Sequence, residues 1–216
     1  MILSHSKQFI FIHNYKVAGT SVRNALKNYN NKSFWASNLN DKIQFITGNY
    51  PKVYAKQFAH HIKAPELQGI ISEDIFTNYF KFGFVRNPWD WQVSLYKFML
   101  KRGKHRQHEL VKNMKSFDEY IDWRVHEDLH LQKEFFYVED TCLMDFIGKM
   151  ENLNDDFEII CKKIGVTSEL KHLNSSRKPS DSFLRYYSQK SIDLVFEGYQ
   201  EDIKLFGYTK PEMVEA

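Results

Sequence analysis

Twice in this chain a short run of aromatic and β-branched residues stops at a loop and resumes with helical spacing. This repeated strand, loop, helix order narrows the fold more than any other feature. In the first instance "QFIFIH", residues 8–13, reads as a buried strand, and Val22, Ala25, Leu26 and Tyr29 follow at i, i+3, i+4 and i+7. In the second, "YFKFGFVRNPWDWQVSLYKFML", an aromatic strand runs to Val85 and Asn87-Pro88 opens a helix, with Pro at its first position. Val93, Tyr96 and Met99 or Leu100 then share one face. From residue 108 on the chain reads as mostly helical, and Ile192, Val195, Phe196, Tyr199, Ile203 and Phe206 form a long apolar stripe that Gly207 closes. Strands alternating with helices predict an α/β fold, a central parallel sheet covered by helices on both faces.

At 216 residues, 43% of them hydrophobic, the chain suits one well-buried domain, 1–216, and shows no linker, repeat or low-complexity segment. A formal charge of +3 suits a small anionic ligand and is too weak to argue for a nucleic-acid surface, so no nucleic-acid partner is expected. Two cysteines, Cys142 and Cys161, give neither a disulfide framework nor a metal-ligand spacing. No apolar run reaches membrane-spanning length, so the expectation is a cytoplasmic protein without a membrane span.

Ligands of parallel α/β sheets bind beyond the carboxyl ends of the strands, where both junctions lie. The first loop, "HNYKVAGTS", sets Gly19, Thr20 and Ser21 at a helix start, where backbone N–H groups and the helix dipole favour an anion. Gly19 permits close backbone approach, the hydroxyls add donors, and Lys16 adds a point charge. The loop is not G-x-x-x-x-G-K-[ST], because Lys16 precedes the glycine. At the second junction Arg86 and Ser94, eight residues apart, make a fork and a hydroxyl suited to phosphate. Two anion sites at strand ends suggest a ligand with two anionic groups.

These stretches resemble a known family. "FIFIHNYKVAGTSVRNAL" is similar to the 5′-phosphosulfate loop of sulfotransferases that use 3′-phosphoadenosine 5′-phosphosulfate (PAPS), and "FKFGFVRNPWDWQVSLYKF" to their 3′-phosphate motif. The carbohydrate-type branch, Golgi polysaccharide sulfotransferases and bacterial relatives, is the closer match. The resemblance runs on through "HLQKEFF", "DFIGKMENLNDDFEIICKKIGV", "HLNSSRK" and "VFEGYQEDIKLFGY", from Phe9 to Tyr208. It implies a P-loop nucleotide-kinase-like sulfotransferase fold. It also implies Lys16 near the leaving phosphate and the sulfuryl group, and Ala18, Gly19, Thr20 and Ser21 around the 5′-phosphate. Arg86 and Ser94 would hold the 3′-phosphate, with Arg177 as a further nucleotide contact. Tyr15 stands where the family commonly has Pro, and Trp91 where it has Arg.

Sulfuryl transfer to a hydroxyl, here expected on a glycan, needs in-line attack, charge stabilisation at the leaving group and a base. In "AKQFAHHIKAPEL" His61 is the first candidate base and His60 the second, each with an ordinary pKa of about 6.5. Glu151, in "GKMENL", is the alternative that would orient or replace the histidine. No metal is expected, since neither H-E-x-x-H nor a Cys/His cluster appears in the sequence. The basic run "KRGKHRQH", 101–108, is a candidate contact for an anionic acceptor, and His130 and Gln132 match a stretch the family places near the acceptor. Two other readings stay open: a nucleoside-triphosphate kinase, and a non-catalytic nucleotide- or glycan-binding module.

Overall fold

A computed structural model describes residues 1–47, 53–54, 58–170 and 183–213. Along the chain come β1 (Ile2–Ser4), β2 (Phe9–Phe11), α1 (Gly19–Leu26), β3 (Lys32–Ser33), α2 (Leu39–Ile46), β4 (Val53–Tyr54), α3 (Ala64–Gln68), α4 (Glu73–Asn78) and β5 (Phe80–Val85). Then follow α5 (Pro88–Lys101), α6 (His108–Lys112), α7 (Phe117–His126), β6 (Tyr137–Val138), β7 (Thr141–Cys142), β8 (Phe146–Lys149), α8 (Leu153–Ile164), α9 (Gln189–Gly198) and α10 (Gln200–Leu205). They fall into two compact units, Met1–Val85 with Glu134–Asn174, and Arg86–Lys133 with Ser175–Ala216.

The first unit holds the central sheet, ordered β1-β2-β5-β8 and flanked by helices. β2, β5 and β8 are parallel, and β1 lies antiparallel along the edge. The register sets Phe11 beside Phe82 and Phe82 beside Phe146. Phe11 and Phe82 stack with centroids 5.2 Å apart, and Phe84 meets Phe11 edge-on. Each such ring, fully buried, contributes about 1.5–3 kcal/mol of transfer free energy. Lys81 is the one charged side chain in this aromatic strand. Its backbone N–H donates to Asp145, and its ammonium pairs with the same carboxylate at 2.8 Å.

After residue 108 helices predominate as expected, and β8 is a strand of the central sheet that this reading did not include. "FIGK" is too short to show a period of two, and Gly148 interrupts it. That glycine is needed, because a Cβ there would lie 2.6 Å from Phe84 Cε1. The first unit also contains the two-stranded β3–β4 and β6–β7 pairs.

The second unit is built of helices. α5 starts as the sequence predicts, with Asn87 Oδ1 accepting from the N–H groups of Trp89 and Asp90 and with Pro88 in the first turn. The expected stripe from Ile192 to Phe206 is present but divided. Tyr199 ends α9 and precedes α10, so two short helices replace one long one. Ile192, Val195, Tyr199, Ile203 and Phe206 are buried, Phe196 is exposed, and Gly207 closes the run with φ 63°. Trp91 packs edge-on against Tyr199 in this core, which explains an aromatic where the family commonly has arginine. Trp89 is fully buried too, whereas Trp35, in the first unit, is 84% exposed.

Candidate active site

The loop after β2 is strained before its helix begins. Ile12 N–H still donates to Phe82 at 2.9 Å, and His13 and Asn14 stay buried at the strand's end. Lys16 and Ala18 then both take left-handed backbone, φ 56° and 60°. Each such turn costs a non-glycine residue about 1–3 kcal/mol. Val17, buried between them, anchors the loop to the core. Ala18 caps α1 without a side-chain bond, and the first helical bond runs from Val22 N–H to Ala18 O. The N–H groups of Gly19, Thr20 and Ser21 therefore precede the helical ladder, at the positive end of the dipole. Thr20 is exposed and Ser21 half-buried. Gly19 has a neighbour the sequence did not show: a Cβ there would lie 1.6 Å from His13 Nε2, so the missing side chain makes room for this imidazole.

His13 leads to the histidine pair. His61 Nδ1 lies 2.8 Å from the His13 carbonyl, which only accepts, so Nδ1 carries the proton and Nε2 keeps its lone pair. His60 is engaged differently. The Arg23 guanidinium, from the same α1, donates to His60 Nε2 at 2.7 Å and occupies that lone pair. Burial first, then the neighbouring imidazoles and Arg23, push His13 down to about 2; partial desolvation first, then Arg23, lowers His60 to about 4. Burial also lowers His61, opposed by its bond to the His13 carbonyl. All three rings are neutral near pH 7. Tyr15, in the place of the family's proline, lies over His61 with ring centroids 4.4 Å apart and meets Phe135 edge-on.

Arg86, in the second unit, is held at both backbone and side chain. Gln132 Oε1 accepts from Arg86 N–H at 3.0 Å while Gln132 Nε2 donates to Arg86 O at 2.8 Å. Gln132 is itself fixed by the buried Asp202, whose two carboxylate oxygens accept from the N–H groups of Gln132 and Lys133. The Arg86 guanidinium pairs with Asp90, one turn on, at 2.6 Å. Ser94 is half-buried on α5. Gln132, which the sequence suggested as an acceptor contact, thus clamps the arginine's backbone. Glu151 and His130 are exposed, and His130 lies 3.4 Å from Asp128. In the 101–108 run Arg102 and His105 both lie against Phe98, so part of its charge rests on an aromatic of the second unit. Arg177 lies outside the described residues.

Sequence reasoning missed His13, Arg23, Asp90 and Asp202. Asp90 was within reach, since an acid four residues after Arg86 on a helix start is an i, i+4 partner. Among the described residues no helix is long and apolar enough to cross a membrane. A model described as "Sulfotransferase family" matches residues 1–209. An uncharacterized protein of Archaeoglobus fulgidus is 31% identical over 103 residues, 46% of this chain and 79% of that protein. With the family match spanning the loop, the histidine pair and the Arg86 junction alike, the chain belongs to the sulfotransferase family and is a sulfotransferase enzyme.

Proposed function

We propose that the protein moves the sulfuryl group of PAPS to a hydroxyl, on a glycan, without a metal, as one sulfotransferase domain in the cytoplasm. The observation that carries the reading is the doubly left-handed loop at Lys16 and Ala18, which opens α1 with its N–H groups leading. Backbone of this kind cradles phosphate oxygens. Ala18, Gly19, Thr20 and Ser21 bind the 5′-phosphate, and Arg86 and Ser94 the 3′-phosphate, with Asp90 and Gln132 orienting the arginine. Arg177 is a further nucleotide contact.

His61 Nε2 accepts the proton of the acceptor hydroxyl as its oxygen forms a bond to sulfur. The bond between sulfur and the bridging oxygen of the 5′-phosphate breaks with its electron pair on that oxygen, and Lys16 steadies the charge there. The products are a sulfate ester and adenosine 3′,5′-bisphosphate. His61 is favoured over His60 as base because Arg23 occupies the His60 lone pair.

The test is calorimetric titration with adenosine 3′,5′-bisphosphate, and with ATP with and without magnesium, for wild type and Arg86→Ala. The expected result is metal-independent bisphosphate binding that Arg86→Ala weakens by about 1.5–3 kcal/mol, the range for a charge-assisted bond. Preference for magnesium-ATP would replace the reading by a kinase. Bisphosphate binding with transfer unaffected by His61→Gln would remove His61 as base.

A further inference from the structure

His13 and His61 are 48 residues apart in the sequence, yet with His60 they converge on one point. The ring centroids are 4.4 Å apart for His13 and His61 and 4.8 Å for His13 with His60 and for His60 with His61. One nitrogen from each lies within 4.8 Å of the other two. We propose that these three imidazoles form a binding site for a divalent transition cation of the zinc type, and that its occupation takes the His61 lone pair and stops transfer. The second half rests on the reading of His61 as the base; the first does not.

Three observations carry the site. Imidazole nitrogens suit zinc, copper and nickel, and three histidines with an open fourth position form a familiar zinc set. His13 is 5% exposed and its Nδ1 is buried with no hydrogen-bond partner, one of two such side-chain atoms among the described residues, the other being Asn31 Nδ2. Such an atom needs a reason, and an ion is one. Finally, His61 donates Nδ1–H to a backbone carbonyl and directs Nε2 away from it, the way a ligating histidine is oriented by its outer partner.

Arg23 sets how readily the ion enters. Its guanidinium always donates, so His60 accepts at Nε2 and, being neutral, holds its proton at Nδ1. Neither nitrogen of His60 can ligate until that bond opens. Around a tetrahedral zinc with bonds of about 2.0–2.1 Å the nitrogens stand roughly 3.4 Å apart, so the rings must also close in by about an ångström. His60, exposed and in a turn, supplies that movement, while His13 and His61 are held by burial and by their mutual bond. Arg23 is thus a gate that competes with the cation for His60 and repels it.

The experiment uses tag-free, chelator-stripped protein, titrated with Zn2+ by calorimetry and with Co2+ by visible absorption, without donor or acceptor. One ion per chain is expected, with the visible bands of a low-coordinate cobalt. His60→Ala and His61→Ala should each weaken binding at least tenfold, about the loss that disturbing even an outer-shell partner causes. Arg23→Ala should tighten it. His60 is exposed and His61 half-buried, so both variants should fold; His13→Ala need not be made. No saturable binding of either ion, or binding unchanged in both histidine variants, would overturn the site and leave the transfer reading untouched. In the transfer assay, zinc should remove wild-type turnover over the concentrations that fill the site. Full occupancy with undiminished turnover would overturn the claim that the ion takes the base.

Discussion

Gly19→Ala tests the link between the anion loop and the histidines. The added Cβ would lie 1.6 Å from His13 Nε2, 1.8 Å from Cδ2 and 2.6 Å from Cε1, so it would sit inside the ring's own space. Ordinary contact needs about 3.5 Å, and the imidazole would have to retreat by about 2 Å. It has little room, with Phe11 stacked at 5.8 Å and His61 at 4.4 Å. Overpacking of this kind costs about 1–3 kcal/mol. Against that, Ala in a helix is better than Gly by up to about 1 kcal/mol, and the Gly19 backbone is not left-handed. The net loss should be about 1–2 kcal/mol by urea denaturation. In a His13→Ala background the ring is gone, so the same substitution should become neutral or stabilising. The coupling between the two sites should then be about 1–3 kcal/mol. Equal Gly19→Ala effects in both backgrounds, within about 0.5 kcal/mol, would refute the reasoning.

Three further outcomes follow from the same geometry. Because burial lowers the His61 pKa, kcat/KM measured with a chelator present should fall on the acid side with a midpoint below pH 6.5, and His61→Gln should lose that limb; a midpoint above pH 7 would contradict it. His13, at about 2 folded and about 6.5 unfolded, contributes stability that is complete above pH 6.5 and is lost as pH falls below it, since only the unfolded chain takes up the proton. At pH 5 the loss is about 2 kcal/mol, from about 1.4 kcal/mol per pH unit, and His13→Ala should flatten that part of the curve; parallel curves would rule it out. Asp202→Ala removes a buried carboxylate that accepts from two N–H groups and should cost about 3–6 kcal/mol, since each charge-assisted bond is worth about 1.5–3. Thermal unfolding should then start several degrees lower, and an unchanged melting curve would exclude Asp202 as the support of Gln132 and Arg86.

What the sequence made legible was local. Val85, Arg86, Asn87 and Pro88 announce a strand end, a cap and a helix start within four positions, and the structure builds them so because caps and Pro act on the nearest turn. The helix after Gly19 was legible for the same reason, and so was the apolar stripe of α9 and α10, though not its break at Tyr199. β8 was not, since four residues with a glycine carry no period and depend on β5 beside them. The candidate site divides along the same line. Lys16 and the Gly-Thr-Ser helix start can be read from neighbours in the chain, but the strain at Lys16 and Ala18 cannot, because nothing in Lys or Ala favours left-handed backbone.

The choice between His60 and His61 depends on facts no spacing reveals. The carbonyl of a residue 48 positions earlier fixes the proton on His61, and a guanidinium one helix away takes the lone pair of His60. His13 looked like the last residue of a strand, and in the chain it is that. Its carbonyl orients the candidate base, its ring accounts for Gly19, and its buried Nδ1 is the unsatisfied atom of the histidine cluster. A residue whose backbone, ring edge and ring nitrogen serve three different neighbours tolerates replacement poorly. A His13→Gln variant, keeping the carbonyl and a polar side chain, should therefore retain the His61 bond while losing the ring contacts, which separates orientation of the base from packing against the loop.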